Sequence, residues 1–296
     1  MIKYFKLKFF ILTFERFPNL FRPSSKPYIS GDSFRKMADH VFDETKSIKA
    51  TDVKEKDIVF VSPSVIDIYF SLIHPDIEFK YILITHNSDI RIGNFIKKYM
   101  DEKIMHWYAC NLDIKINEKI TLLPMGLENL RRLRFGRLKN FKYKNKGKNK
   151  LILCSIKDMP HFDEKIQSFY PDIEKRKNIK KVFLKFKNVT VKEFQSNKDY
   201  FFELNEYKYL ICPPSSGYDT YRIWEGLLLA VFPVVEINEF TLNLKKLGVP
   251  GIYLENWKDL ENISEAELEN KYSNFIKKDY RKILSYSFWN KTIRKS

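Results

Sequence analysis

Arg222 and Glu225 are the residues whose types and spacing are best suited to chemistry. They lie three positions apart, shortly after the small-residue turn Ser215-Ser216-Gly217. In a helix this spacing puts both side chains on one face. A loop that leads into a helix presents free backbone N–H groups and a positive dipole end to an anion. An arginine adds a fork for phosphate, and a carboxylate accepts hydrogen bonds from paired sugar hydroxyls. A plain surface ion pair is the simpler alternative.

The elements predicted around this loop form a strand, loop, helix and strand. Residues 209–212 are an apolar run that a Pro-Pro pair stops, because proline cannot continue a ladder. Helical spacing follows the loop, and we expect Pro233 to end that helix. Val234 and Val235 begin the next predicted strand. The loop therefore lies between a strand end and a helix start.

This order of strand, loop, Arg, Glu and Pro-Val-Val resembles the donor-binding signature of nucleotide-sugar glycosyltransferases, most closely the exostosin-like families. The resemblance implies that Glu225 binds the ribose of the nucleotide and that Arg222 binds its diphosphate. It implies a donor site made of Ser215, Ser216, Gly217, Asp219, Arg222 and Glu225. It also implies an α/β fold of the GT-B type, with two Rossmann-like domains, a cleft between them and a C-terminal helix crossing back.

The length of 296 residues and the 44% of hydrophobic residues suffice for two α/β domains. The predicted division is an N-terminal, acceptor-side Rossmann-like domain, a basic linker, a C-terminal nucleotide-sugar-binding domain and a C-terminal helix, over residues 1–130, 131–150, 151–278 and 279–296. In the first domain, a helix over residues 65–73 separates two clear strand patterns. The strands are predicted at residues 57–62, 81–86, 104–109 and 121–123.

Residues 131–150 are rich in lysine and arginine and contain no acidic residue. Such a run is expected to be a solvated linker between the domains. Alternatively, the basic residues of this run contact an anionic membrane or an anionic acceptor.

Candidate catalytic residues follow strand-like segments of the first domain. Asp32 comes directly after Gly31, and His86 and Asp89 follow the strand predicted at residues 81–86. Inverting sugar transfer needs a base that takes the proton of the acceptor hydroxyl. We favour Asp32 for this role, with His86 as the alternative and Asp89 as the residue that orients it. Asp32 and Asp89 are also suited to capping a helix or turn. The segments that carry these residues resemble, in order, those of the exostosin-like group that includes the ribitol xylosyltransferases.

No metal or cofactor is expected. The chain contains no Asp-x-Asp, the acidic motif with which metal-dependent transferases hold a diphosphate through a divalent cation. The P-loop, His-Glu-x-x-His and Gly-x-Ser-x-Gly signatures are also absent from the sequence. The leaving group would then be stabilised by fixed cations and backbone N–H groups.

The 53 basic residues exceed the 37 acidic ones and give a formal charge of +16, which favours polyanionic partners. A nucleic-acid-binding protein is one alternative, but no recognisable module supports it, so no nucleic-acid partner is expected. A fucosyltransferase-like enzyme using a GDP-sugar is another, although the Cys-Pro-Pro-Ser-Ser loop fits the exostosin pattern better. The favoured partners are a nucleotide-sugar donor, preferably a UDP-sugar, and a glycan or lipid-linked acceptor in surface polysaccharide synthesis.

The expected location is cytoplasmic, at or near the inner face of the membrane. Three cysteines, widely separated and odd in number, suit a reduced protein in which each is a small buried side chain. Residues 1–17 are basic and aromatic, but their apolar core is too short for a signal peptide. This segment is expected to pack on the fold or, alternatively, to lie on an anionic membrane.

Overall fold

A computed structural model of the chain describes residues 22–132, 134–142, 147–156 and 172–296. Residues 1–17, for which packing or membrane contact is predicted, lie outside this range. The strands form two five-stranded sheets in which neighbouring strands are parallel. Helices accompany both sheets, so the predicted Rossmann-like α/β character is confirmed.

The first sheet has its strands in sequence order. They are β1 (His40–Phe42), β2 (Ile58–Val61), β3 (Tyr81–Thr85), β4 (Ile104–Ala109) and β5 (Ile120–Leu122). Helices α1 (Gly31–Met37) and α2 (Ile66–Leu72) belong to the same half of the chain. All residues of β2 and β3 are buried, as expected for parallel strands covered on both faces. The four strands predicted from sequence are confirmed, with small changes at their ends.

The second sheet has the order β10-β9-β8-β6-β7. Its strands are β6 (Lys150–Cys154), β7 (Val189–Val191), β8 (Tyr207–Ile211), β9 (Phe232–Glu236) and β10 (Ile252–Leu254). Its helices are α3 (Asp172–Phe183), α4 (Asn197–Leu204), α5 (Tyr221–Leu228), α6 (Glu239–Leu247) and α7 (Glu265–Phe275). The direction of winding changes between β6 and β8. Open α/β sheets bind ligands at such a switch point, beyond the carboxyl ends of the strands.

The helix after the predicted donor loop ends earlier than expected. α5 stops at Leu228, and Ala230 turns the chain with a φ of 54°. Pro233 lies inside β9 instead of ending the helix, so that expectation was wrong. The chain reverses before Pro233 because the N–H of Val231 donates to the carbonyl of Gly226 at 2.8 Å and closes the turn.

The C-terminal helix α8 (Tyr286–Ile293) packs against the first sheet. The Trp289 ring meets Phe34 edge-on, with ring centroids 6.2 Å apart, and Tyr108 at 6.4 Å. Just beyond the helix, Arg294 is 3.2 Å from the carboxylate of Asp39. The end of the chain therefore packs on the first sheet.

The basic segment after β5 is not the solvated linker that its charge predicts. Arg131 lies 3.2 Å from the Asp32 carboxylate, and Asn140 is buried. Phe135 and Phe141 pack edge-on against Phe201 of α4. These aromatic residues fix the segment to the second half of the chain, and the expectation of a wholly solvated run was therefore wrong.

Two simpler expectations concern cysteine and membrane-spanning helices. Cys110, Cys154 and Cys212 are free and buried, as predicted. Over the residues that the structure describes, no helix has the length and apolar character needed to cross a bilayer.

Candidate active site

A cavity of about 250 Å³ lies at the switch point of the second sheet. Its walls are the chain after β6, the region around α4, the loop after β8 and the first turns of α5. The first half of the chain adds Asp89, Met125 and Phe135. The cavity therefore lies between the two halves of the molecule, where a ligand would contact both. All six predicted donor-site residues line it: Ser215, Ser216, Gly217, Asp219, Arg222 and Glu225.

The loop after β8 approaches the first half closely at Gly217. A Cβ at this position would lie 2.6 Å from the Oδ1 atom of Asn111, so a larger residue would force the Asn111 side chain or the loop to shift. The loop then enters α5 through Thr220, which has the extended backbone of an N-cap residue. In this way the loop places the first turn of α5, with Arg222 and Glu225, in the cavity wall.

Buried polar atoms line this wall: Glu225 Oε1 and Thr220 Oγ1 have no hydrogen-bond partner among the described residues, and the Tyr200 hydroxyl interacts with the Arg222 side chain. The parent residues are 2%, 6% and 6% exposed. Most buried polar groups in proteins are hydrogen-bonded, and each one left without a partner needs an explanation. The two unpartnered atoms of Glu225 and Thr220, together with Tyr200 and Arg222, form a set of donors and acceptors that a polar ligand can satisfy.

The carboxyl group of Glu225 is in an environment that disfavours its charge. Burial raises its pKa to about 8, the Arg222 guanidinium opposes this rise, and Glu128 adds to it. Glu225 is therefore mainly protonated at neutral pH. A ligand that donates hydrogen bonds would favour the ionised form.

Asp219 lines the same cavity, but its carboxylate is engaged by protein groups. Its Oδ2 accepts from the Met125 N–H at 2.8 Å, and its Oδ1 accepts from the Trp224 indole at 2.7 Å. Burial nevertheless raises its pKa to about 7. The Met125 contact joins the loop after β8 to the loop after β5. Asp219 thus links the two halves of the molecule. Its contact with a nucleotide-sugar donor stays a prediction.

A smaller cavity of about 80 Å³ adjoins the first and shares Asp89, Met125 and Tyr221 with it. Arg131 and Arg132 line the smaller cavity. The Asp89 side chain is open to the cleft, although nearby protein atoms desolvate it enough to raise its pKa. Arg132 and a hydrogen bond with Ser216 oppose this rise. Among the three candidate catalytic residues, Asp89 is the one that lines both cavities.

His86 lines the smaller cavity, but both of its ring nitrogens have protein partners. The Asn87 N–H donates to Nδ1 at 2.6 Å, and Nε2 lies 3.1 Å from the carbonyl oxygen of Pro124. A neutral ring with its proton on Nε2 satisfies both contacts. Burial lowers the pKa of His86 to about 4, so the ring is neutral at pH 7. Its one acceptor lone pair is then already occupied.

Asp32 is fully buried below the smaller cavity. Its Oδ1 accepts from Arg22 at 3.2 Å and from the Asn87 amide at 3.1 Å, and its Oδ2 is 3.2 Å from Arg131. Neither of these two cavities, as the described residues form them, has Asp32 in its wall. The N-cap of α1 is Ser30, whose side chain accepts from the Ser33 N–H, so the capping role considered for Asp32 was wrong.

The sequence analysis missed several residues of the larger cavity. Tyr200 lies on α4, a helix that was not predicted, and Phe194 precedes it. The available signal was Ser196, which caps α4 by accepting from the N–H of Asp199 three residues later. Asn111, whose side chain contacts the loop after β8, was not among the predicted site residues either. Within the described ranges, no group of three or more His, Cys, Asp or Glu side chains is arranged to hold a metal ion.

Comparison with known proteins bears on the half of the chain that supplies most of this cavity. Residues 163–296 match the family model described as the RXYLT1 C-terminal domain. No curated protein matches the chain. The matched region contains the loop after β8 and the whole of α5, with Arg222 and Glu225. The match indicates a glycosyltransferase and supports a relationship between residues 163–296 and the ribitol xylosyltransferase and exostosin-like glycosyltransferases.

Proposed function

We propose that the protein transfers a sugar from a nucleotide-sugar donor bound in the larger cavity. The observation that carries this proposal is the pair of unpartnered buried atoms, Glu225 Oε1 and Thr220 Oγ1, in the cavity wall that also holds Arg222. In this arrangement the ribose hydroxyls donate to Glu225. The diphosphate lies at Arg222 and the Ser215-Ser216-Gly217 turn, where the N-terminal end of α5 adds its dipole. Phe135, Phe194 and Tyr200 provide aromatic surface for the base.

The proposed reaction is inverting and needs no metal. As the bond between the anomeric carbon and the diphosphate breaks, negative charge develops on the leaving oxygen. In this proposal Arg222 and N–H groups of the loop stabilise that charge, and because both belong to the cavity wall, little rearrangement is required. The absence of an Asp-x-Asp motif from the sequence supports the same proposal.

Asp89 is the proposed base. It contacts both cavities, is open to the cleft, and has a pKa raised from its ordinary value by burial, which brings it closer to a neutral working pH. Asp32 lacks this access, and the acceptor lone pair of His86 is occupied. The acceptor hydroxyl would enter from the smaller cavity and lose its proton to Asp89 as it attacks the sugar.

The two sheets suggest the larger organisation. Their carboxyl edges both contribute to the cleft, and α8 returns to the first sheet. We therefore keep the division at residues 1–130, 131–150, 151–278 and 279–296, and a GT-B arrangement, as parts of the proposal. A UDP-sugar is the preferred donor, and the acceptor is a glycan or lipid-linked molecule of surface polysaccharide synthesis. The proposed site of action is the cytoplasm, at the inner face of the membrane.

Nucleotide titration tests the proposal. Isothermal calorimetry with UDP, GDP, CMP and ADP should show binding of at least one of them. The Glu225→Ala variant should bind about ten- to hundredfold more weakly, because a hydrogen bond to a charged group contributes about 1.5–3 kcal/mol. Glu261→Ala removes an exposed glutamate outside the cavity and serves as the control. Equal affinity of a folded Glu225→Ala variant and wild type would refute the assignment of this cavity as the donor site.

A further inference from the structure

Asn111 connects the loop that carries Asp89 with the loop that carries the predicted donor site. It lies two residues after the end of β4 and is fully buried. Its Oδ1 accepts from the backbone N–H of Asp219 at 2.8 Å, and its Nδ2 donates to the carbonyl oxygen of Ser88 at 3.1 Å. The Asn111 side-chain amide therefore contacts both loops. Its oxygen accepts from the loop after β8, and its nitrogen donates to the loop that carries Asp89.

The Asp89 loop is anchored to Asn111 on both sides of Asp89. Ser88 precedes Asp89 and bonds to the Asn111 side chain. Ile92 follows it, and its N–H donates to the Asn111 backbone carbonyl at 3.0 Å. Asp89 is thus confined between two contacts to a single residue. A shift of Asn111 would move Asp89 relative to the donor loop.

Asn111 has a positive backbone φ and is tightly packed against Gly217. Its φ is 53°, in the left-handed region that few residues other than glycine, asparagine and aspartate adopt easily. Across the cleft, Gly217 approaches it so closely that the three atoms nearest to an added Cβ all belong to the Asn111 side chain, at 2.6–2.9 Å. A second contact joins the same two loops, since the Arg91 guanidinium lies 3.7 Å from the centre of the Tyr218 ring.

We propose that Asn111 is a positioning residue that sets the distance between Asp89 and the bound donor. This inference rests on the proposed function, because it requires that Asp89 is the base and that the larger cavity binds the donor. A positioning role and a purely structural role predict different effects on turnover and on nucleotide affinity. Loss of the Asn111 side chain should lower turnover while the donor site, with Arg222 and Glu225, keeps its affinity for nucleotide.

The test uses Asn111→Gly, which removes the side chain and suits the positive φ. Lys56→Gly is the matched control, because Lys56 is exposed and has a φ of 66°. Turnover is measured as release of nucleoside diphosphate from UDP-glucose, UDP-galactose and GDP-mannose, with water as acceptor. A displacement of about 1 Å between reacting groups costs about a hundredfold in rate. We therefore expect turnover of Asn111→Gly to fall at least about tenfold, with an affinity for the nucleoside diphosphate within about threefold of wild type.

Gly217→Ala provides a second variant, because its added methyl group should displace Asn111. Its effect should be smaller in the Asn111→Gly background than in wild type, since the obstructing side chain is then gone. Hydrogen exchange upon nucleoside diphosphate binding gives a readout that needs no turnover. Binding is expected to protect residues 86–92 and 215–225 in wild type; in Asn111→Gly the protection of residues 86–92 should weaken, while that of residues 215–225 persists.

Wild-type turnover or unchanged protection in Asn111→Gly would overturn the inference, as would equal losses of turnover and nucleotide affinity. Additive effects of the two substitutions would also overturn it. If Asn111→Gly does not fold, Gly217→Ala alone tests the proposal. Normal turnover and normal protection of residues 86–92 in Gly217→Ala would then contradict it. A wild-type protein that binds none of the nucleotides would instead refute the proposed function.

Discussion

Replacing Glu225 with glutamine should make the protein more stable at alkaline pH and a weaker nucleotide binder. Burial raises the pKa of Glu225 from an ordinary value of 4.5 to about 8. Between these two values the folded protein holds a proton that the unfolded chain releases, so the free energy of unfolding falls as the pH rises. Glutamine has the shape of the protonated acid and does not ionise. It therefore removes this pH dependence.

The size of the effect follows from the pKa difference. Each unit corresponds to 1.36 kcal/mol, so the loss that Glu225 causes between pH 5 and pH 8 is about 3 kcal/mol. The melting temperature of Glu225→Gln should then be close to that of wild type at pH 5 and about 5–10 °C higher at pH 8. Nucleotide affinity should fall about tenfold, because a neutral acceptor replaces the carboxylate that binding favours.

Differential scanning calorimetry at pH 5 and pH 8 tests the first part, and nucleotide titration at pH 8 tests the second. Glu261→Gln is the control, since Glu261 is exposed and should alter neither quantity. Parallel melting temperatures of Glu225→Gln and wild type at the two pH values would refute the reasoning about burial. Higher stability combined with unchanged nucleotide affinity would keep that reasoning but remove Glu225 from the donor site.

Three other predictions concern the neighbouring groups. Asp219→Asn should remove a fall in the free energy of unfolding between pH 4 and pH 7, because burial raises the pKa of Asp219 to about 7 and asparagine does not ionise; a pH dependence of urea unfolding equal to that of wild type would contradict this. Asp89→Asn should keep nucleotide affinity but lower turnover by a factor on the order of 10²–10⁴, whereas Asp32→Asn should chiefly destabilise the fold by leaving arginines poorly paired. A dead but fully stable Asp32→Asn would return the role of base to Asp32. Nucleoside diphosphate release should survive EDTA, and loss of activity that manganese or magnesium restores would refute the metal-independent mechanism.

The parts of the fold that sequence patterns predicted are those encoded by short, continuous segments. β2, β3 and β4 are apolar runs that parallel strands require, and the loop before α5 carries its own turn residues. α4 was missed because its buried residues pack on Phe135 and Phe141, from a segment whose charge suggested full solvation. That contact depends on tertiary structure, which the local pattern does not contain.

In the candidate site, too, contacts between residues close in sequence were predictable, and contacts between distant parts of the chain were not. Arg222 and Glu225 share one turn of a helix, so their meeting was predictable from spacing. Asp32 was favoured as the base because it follows a glycine after an extended segment. Its partners Arg22, Asn87 and Arg131 come from three separate parts of the chain and together bury it. The role of Asn111 depends on Ser88 and Asp219, which the sequence alone does not bring together.

A crystal structure of the protein with the nucleoside diphosphate that binds best would test the central claim most directly. The account predicts ribose hydroxyls within hydrogen-bonding distance of Glu225 and a diphosphate against Arg222 and the Ser215-Ser216-Gly217 turn. It also predicts that Tyr200 or Thr220 gains a hydrogen bond to the ligand or to a water that the ligand holds. A nucleotide bound elsewhere, with Glu225 Oε1 still lacking a partner, would contradict the assignment of this cavity as the donor site.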